Sequence, residues 1–194
     1  MNGRISPDLI RRITENNCYP LSYLDKDYIF LNVDRLYKEI TKNKIPTYEE
    51  SLKRDIATGL ILELGVANII SGSYNDSDFD VSDWRTYAYD LIGPNGELIE
   101  VKRNNFNNKC LNINFKNEDY DGKYSFYDTF SKNCHRLDYL IVADIVENTV
   151  KIQYLINAKN FNNYLQKSNK VQGGSSHFFK NFPAENNGDL IEFK

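Results

Sequence analysis

Leu52, Ile56, Leu60 and Leu64 recur every fourth position, and Thr47-Tyr-Glu-Glu50 ahead of them matches a capping box. That spacing predicts a helix over residues 48–70. One acid breaks its densest apolar stretch, Gly59-Leu-Ile-Leu-Glu63-Leu-Gly-Val-Ala67-Asn-Ile-Ile70. A buried carboxylate is costly unless it is paired or binds a cation, so Glu63 either lies at the helix's solvent edge or serves a site. Upstream, Ser6-Pro7-Asp8 reads as an N-cap, a first-turn proline and a first-turn acid. They open a helix through about Glu15, with Leu9, Ile10 and Ile13 on one face. Val33, Leu36, Tyr37 and Ile40 mark a second helix that ends before Pro46. Residues 1–47 are therefore expected to form an N-terminal helical extension, and residues 48–194 one compact domain.

Downstream the period changes. Leu137–Val146 and Val150–Ile156 are apolar, β-rich runs across a short polar turn and predict two strands. Tyr124–Cys134 predicts a helix before them and Lys159–Gln166 another after them. A flexible loop is expected at Ser168–Ser176, around Gly173-Gly174, and an edge strand at Leu190–Phe193. Asn104–Gly122 is polar and Asn-rich, with room for one strand at Cys110–Phe115. Helices and strands in this order predict an α/β fold.

The run Tyr87-Ala-Tyr-Asp90-Leu-Ile-Gly-Pro-Asn-Gly96-Glu-Leu-Ile-Glu100-Val-Lys102 carries the densest chemistry. Pro94 suits the first corner of a type I turn, Asn95 the second, and Gly96 the left-handed position that follows. A three-residue loop then joins strands near 85–93 and 97–103 and sets Gly93 opposite Glu97 and Asp90 opposite Glu100. Lys102, two residues beyond Glu100, points to the same face. A two-residue Asn95-Gly96 loop would turn Asp90 to the other face, but it would force Pro94, which has no N–H, into a paired strand position. Two facing carboxylates about 5 Å apart repel by roughly 3 kcal/mol at an effective dielectric of about 20. A shared divalent cation reverses that sign, and Mg²⁺ or Mn²⁺ favours such hard oxygen ligands.

Composition narrows the classes. The chain has 194 residues and 41% hydrophobic content, enough for a substantial core. No apolar run is long enough to cross a membrane and no secretion-signal pattern opens the chain, so a cytoplasmic location is expected, the host's if the protein is viral. Abundant Asn, Lys, Ile and Tyr fit an AT-rich genome such as a phage's. Cys18, Cys110 and Cys134 are odd in number and far apart, which suggests neither a disulfide framework nor a zinc site. The net charge of −3 is unevenly spread. Asp76, Asp78, Asp80, Asp83, Asp90, Glu97 and Glu100 face Arg85 alone in their segment, whereas Asn148–Ala184 holds five lysines and no acid. Such segregation suits a metal-binding cleft beside a phosphate-facing surface, or ordinary solvated charge. The Asp-x-Asp-x-Asp pattern at 76–80 is no EF-hand, because Val81 stands where the loop needs glycine.

A helix with an embedded Glu63, a hairpin bearing Asp90 and Glu100-Val101-Lys102, then helix, strand and strand resembles the PD-(D/E)xK nuclease superfamily over roughly residues 48–157. Gly59, Glu63 and Ala67 match the Gly-x₃-Glu-x₃-Ala first helix common there, while Tyr89 replaces the proline before the aspartate. Asp121-Gly-Lys123 is a second Asp-x-Lys, which its polar neighbours place in a turn. The resemblance implies a restriction-endonuclease-like core, a central mixed sheet flanked by helices, and metal-dependent hydrolysis of DNA phosphodiesters. Asp90, Glu100 and the Val101 carbonyl would hold Mg²⁺ or Mn²⁺, with Glu63 reaching it directly or through water. Lys102 would orient or help deprotonate the attacking water or stabilise charge on the phosphate, the other reading being a salt bridge from Lys102 to Glu100 or Asp90. Arg103, Lys109, Lys132, Arg136, Lys167 and Lys170 are candidate DNA contacts. A homodimer is open, since cutting two strands needs two sites. A non-catalytic nucleic-acid-binding or assembly protein that keeps the same fold is the alternative.

Overall fold

A computed structural model of the chain describes residues 5–42, 48–77, 83, 85, 88–103, 110–113, 135–159, 165–172, 175–180 and 188–194. Helix α1 (Pro7–Glu15) has the expected bounds, and its Leu9 and Ile13 are fully buried. Strand β1 (Cys18–Pro20) follows, then α2 (Lys26–Thr41). Helix α2 starts earlier than its apolar spacing suggests because Asp25 caps it, its carboxylate accepting from the Asp27 and Tyr28 N–H groups. Helix α3 (Glu49–Ile70) is the long helix expected, with Tyr48 as its N-cap and no side-chain capping bond; Thr47 lies outside the described residues. Its most buried stripe runs through Leu62, Val66, Ile69 and Ile70 instead of the every-fourth set, of which Leu60 alone is buried. Tertiary packing chose the stripe, not the regularity of the spacing.

Strands β2 (Ser73–Tyr74), β3 (Leu91–Ile92), β4 (Leu98–Arg103), β6 (Tyr139–Val146), β7 (Thr149–Asn157) and β10 (Leu190–Glu192) join β1 in one sheet, and β5 (Cys110–Ile113), β8 (Leu165–Gln172) and β9 (Ser175–Lys180) form a second. The main sheet runs β1-β7-β6-β4-β3-β2, with β10 also on β7. It is mixed: β4 and β6 are parallel and the other pairs antiparallel. This is an α/β architecture with a mixed sheet flanked by helices.

The two long apolar runs form β6 and β7 as expected, and Leu190–Glu192 makes the edge strand. Three expectations fail. The first hairpin strand covers Leu91–Ile92 instead of 85–93. Leu165 and Gln166, expected in a helix, begin a strand. Most of the segment expected as a loop at 168–176 is strand too, β8 pairing with β9 on either side of Gly173-Gly174. The residues there are almost all polar and carry no strand signal of their own, so pairing decides. The helix expected at Tyr124–Cys134 lies outside the described residues, as do Asp78, Asp80, Asp121 and Lys123.

One core binds these pieces. Ile5, Leu9 and Ile13 of the N-terminal segment pack with Leu62, Val66 and Ile70 of α3 and with Ile99, Val101, Ile141, Val150 and Leu155 of the sheet. Gly65 sets how closely α3 approaches: a Cβ there would fall 2.6 Å from Val150 Cγ2. Burying side chains of this size contributes about 1.5–3 kcal/mol each, which locks α3 over the sheet and so fixes Glu63 relative to β4.

Candidate active site

The hairpin turn forms as the residue types dictate. The Gly96 N–H donates to the Gly93 carbonyl at 3.0 Å, and Gly96 takes φ 85°. Glu97 clasps the turn, accepting from the Asn95 N–H at 2.9 Å and from its amide at 3.1 Å. Leu91 pairs with Ile99 and Ile92 with Leu98, and the Gly93 N–H donates to the Glu97 carbonyl at 2.7 Å, so the turn has the register expected from Pro94 as far as Leu91. Ladder pairing ends one residue short of Asp90. There the Asp90 N–H donates to the Ile99 carbonyl, and the Asp90 carboxylate accepts from the Val101 N–H at 2.7 Å.

Asn75, which sequence reasoning missed, fixes this irregular stretch. Its N–H donates to the Asp90 carbonyl at 2.9 Å, and its side-chain amide donates to the carbonyls of Tyr89 at 3.0 Å and Arg85 at 3.1 Å. An Asn just past a short strand is a turn signal. Nothing in the sequence says which backbone it will tie down.

Glu100 and Lys102 share a face, as alternation requires, while Ile99 and Val101 enter the core on the other. Glu100 is 2% exposed and its carboxylate contacts the half-buried Lys102 ammonium. Glu63 keeps some accessible surface yet sits deep in the fold. Burial pushes its pKa well above the ordinary carboxylate range, Asp90 and then Glu100 add to that, and Lys102 opposes it. Glu63 is therefore within electrostatic reach of the other three residues singled out as catalytic. Glu63 lies at the border of two cavities. One, of about 610 Å³, is lined by Asp55, Thr58, Gly59, Leu62, Val101, Lys102 and Arg103. The other, of about 210 Å³, is lined by Asp90, Tyr89, Asn75 and Tyr74 together with Arg35 of α2.

The candidate DNA contacts fare unevenly. Arg103 borders the larger cavity, mostly exposed, with its Nε held 3.2 Å from the nearly buried Asp144 carboxylate on β6. Arg136 is exposed and donates to His135 at 3.3 Å, away from both cavities. Lys167 and Lys170 lie on β8 of the second sheet. Lys109 and Lys132 lie outside the described residues. Among the described residues, no three carboxylate, histidine or cysteine side chains are gathered into a ready-made metal cage. The donor set is nonetheless hard oxygen throughout, and Asp90 and Glu100 are engaged by groups that a cation could replace. No helix among the described residues is long and apolar enough to cross a membrane.

Fold and site together define an α/β protein whose carboxylates and lysine converge at the end of a short hairpin. The family model of bacteriophage T4 endonuclease IV matches residues 21–180, and the chain belongs to that family. No curated protein sequence matches the chain.

Proposed function

We propose that the protein is a metal-dependent endonuclease that hydrolyses DNA phosphodiesters, with a PD-(D/E)xK-type centre on a restriction-endonuclease-like core. The observation that carries this reading is the grouping of Asp90, Glu100 and Lys102 around the deeply set Glu63, in a chain of an endonuclease family. The strand order, with β4 parallel to β6 and the hairpin beside them, also supports the core assignment.

Asp90, Glu100, Glu63 and the Val101 carbonyl would hold Mg²⁺ or Mn²⁺. When bound, such a cation supplies charge withdrawal from the phosphate and a lower pKa for water. The chain's own residues prepare the rest. Glu100 restrains the Lys102 ammonium at the rim of the larger cavity, where it can stabilise charge on the phosphate as water attacks. Arg103, braced by Asp144, stands next to it to hold the neighbouring backbone. Asn75 keeps the Asp90 segment from relaxing into a regular strand, which would cost the site its geometry.

The test is a cleavage assay on supercoiled plasmid, single-stranded circle and four-way junction, each with Mg²⁺, Mn²⁺ or EDTA, comparing wild type with Lys102→Ala. Metal-dependent cutting that falls by about 10²-fold or more in the variant is expected. Tight, metal-independent binding with no cutting on any substrate would move the assignment to a non-catalytic DNA-binding protein.

A further inference from the structure

Asp90 and Lys102 open onto different cavities, with Glu63 at the border of both. The smaller cavity, about 210 Å³, is below the roughly 300–1,000 Å³ usual for ligand pockets, so it suits a phosphate group better than a whole nucleotide. Glu39, Glu63 and Asp90 all line it, and an anion entering beside three carboxylates needs a cation to receive it. Arg35, from α2, is the one cationic side chain among the described residues that line this cavity. Its guanidinium is aimed by Asn32 one turn earlier on α2, whose side-chain amide oxygen Oδ1 accepts from Nε at 3.2 Å and from a terminal nitrogen at 3.0 Å. The same terminal nitrogen reaches Asp76 at 2.9 Å. Asp76 is the outer partner, 58% exposed against 32% for Arg35.

We propose that Arg35 is a substrate-positioning residue: it grips a backbone phosphate on the Asp90 side of the centre, and Asp76 holds one terminal nitrogen of its guanidinium until that phosphate displaces it. This deepens, and rests on, the nuclease reading of the site. The strand would then run from the cavity of Lys102 and Arg103 past Glu63 to Arg35. Exposed arginine–carboxylate pairs are worth about 0–1 kcal/mol, so Asp76 yields readily to a backbone phosphate oxygen, which the same nitrogen binds through a charge-assisted hydrogen bond. The neighbouring tyrosines register the same coupling. Burial raises the pKa of Tyr74, Glu63 and Asp90 raise it further, and Arg35 opposes them. Burial and then Asp76 raise that of Tyr28, again against Arg35. The family match takes in the whole of α2 but none of α1, as expected if α2 serves the site.

The experiment is fluorescence anisotropy of labelled single-stranded and duplex oligonucleotides in EDTA across a salt series, with wild type, Arg35→Gln and Asp76→Asn. Arg35→Gln should bind more weakly and lower the slope of log affinity against log salt by about 0.7–0.9, one phosphate's worth. Asp76→Asn should bind severalfold more tightly with the slope kept, which a purely structural Arg35–Asp76 pair would not produce. In Mg²⁺, Arg35→Gln should raise KM more than it lowers kcat. An unchanged slope in Arg35→Gln, no gain in Asp76→Asn, or no binding by wild type overturns the proposal. Should Arg35→Gln fail to fold, Asp76→Asn, altered at an exposed acid, decides alone. Wild-type cutting with an unaltered Arg35→Gln slope sinks only the Arg35 contact, whereas an Arg35-dependent slope without any cutting sinks only the nuclease reading.

Discussion

Two hairpins in the main sheet are built to opposite ends. β6 and β7 pair from Tyr139 opposite Asn157 to Val146 opposite Thr149, around a two-residue turn in which Glu147 and Asn148 both take left-handed φ, 50° and 59°. Tyr139 through Ala143 are buried without a break, so both faces of β6 are covered. β3 and β4 pair over two residues on the β3 side, and then Asp90 turns its carboxylate onto the Val101 N–H. Where the ladder continues, backbone satisfies backbone and side chains serve burial. Where it stops, a carboxylate becomes the acceptor, and the residues of the candidate site collect beside it. Folding energy and chemistry are thus divided between neighbouring strands of one sheet.

The sharpest way to break that division is Asp90→Asn. The amide oxygen can still accept the Val101 N–H, so metal-free melting should change little. Cutting should fall by about 10²-fold or more, and the rise in melting temperature on adding Mn²⁺ or Mg²⁺ should vanish. A variant that keeps its metal-induced rise would remove Asp90 from the site. The converse substitution lies on the other hairpin. Ile141→Ala, at a fully buried position of β6, should cost about 2–5 kcal/mol in urea unfolding and leave cutting per folded molecule unaltered. Lost turnover in the folded fraction would show that the two hairpins are not separable.

The same contrast explains what was legible in the sequence. Pro94 and Gly96 dictate a turn, the turn dictates the pairing of Leu91 with Ile99, and Asp90 follows at the end of that ladder beside β4, so the heart of the candidate site followed from local stereochemistry. Arg35 and Asn75 did not. Each acts across a long sequence separation, and their residue types are ordinary for a helix surface and a loop. β6 and β7 announced themselves because continuous apolar runs need two covered faces. β8 and β9 were missed because Lys167, Ser168, Asn169 and Lys170 are as polar as any loop, and pairing with another strand decides their state. On α3 the every-fourth leucine pattern predicted the helix and not its buried stripe, since the stripe depends on where Gly65 lets the sheet approach.

Glu63→Gln gives the smallest expected effect and the finest test of how the site is strained. In the folded protein Glu63 titrates well above the ordinary carboxylate value, because of burial and then Asp90 and Glu100. The folded state therefore holds a proton that the unfolded chain has lost above about pH 4.3. By linkage, wild-type stability in EDTA falls as pH rises through that window, and it levels off once the folded carboxyl ionises. Glutamine has no such proton to lose. The variant should match wild type at pH 4 and become steadily more stable than it toward pH 8. Thermal melts across that range check it, and a wild-type-to-variant difference that does not change with pH would place Glu63 outside the strained cluster. Adding Mg²⁺ or Mn²⁺ should reverse the order at high pH, because the charge that destabilises the protein in EDTA is the charge a cation would bind.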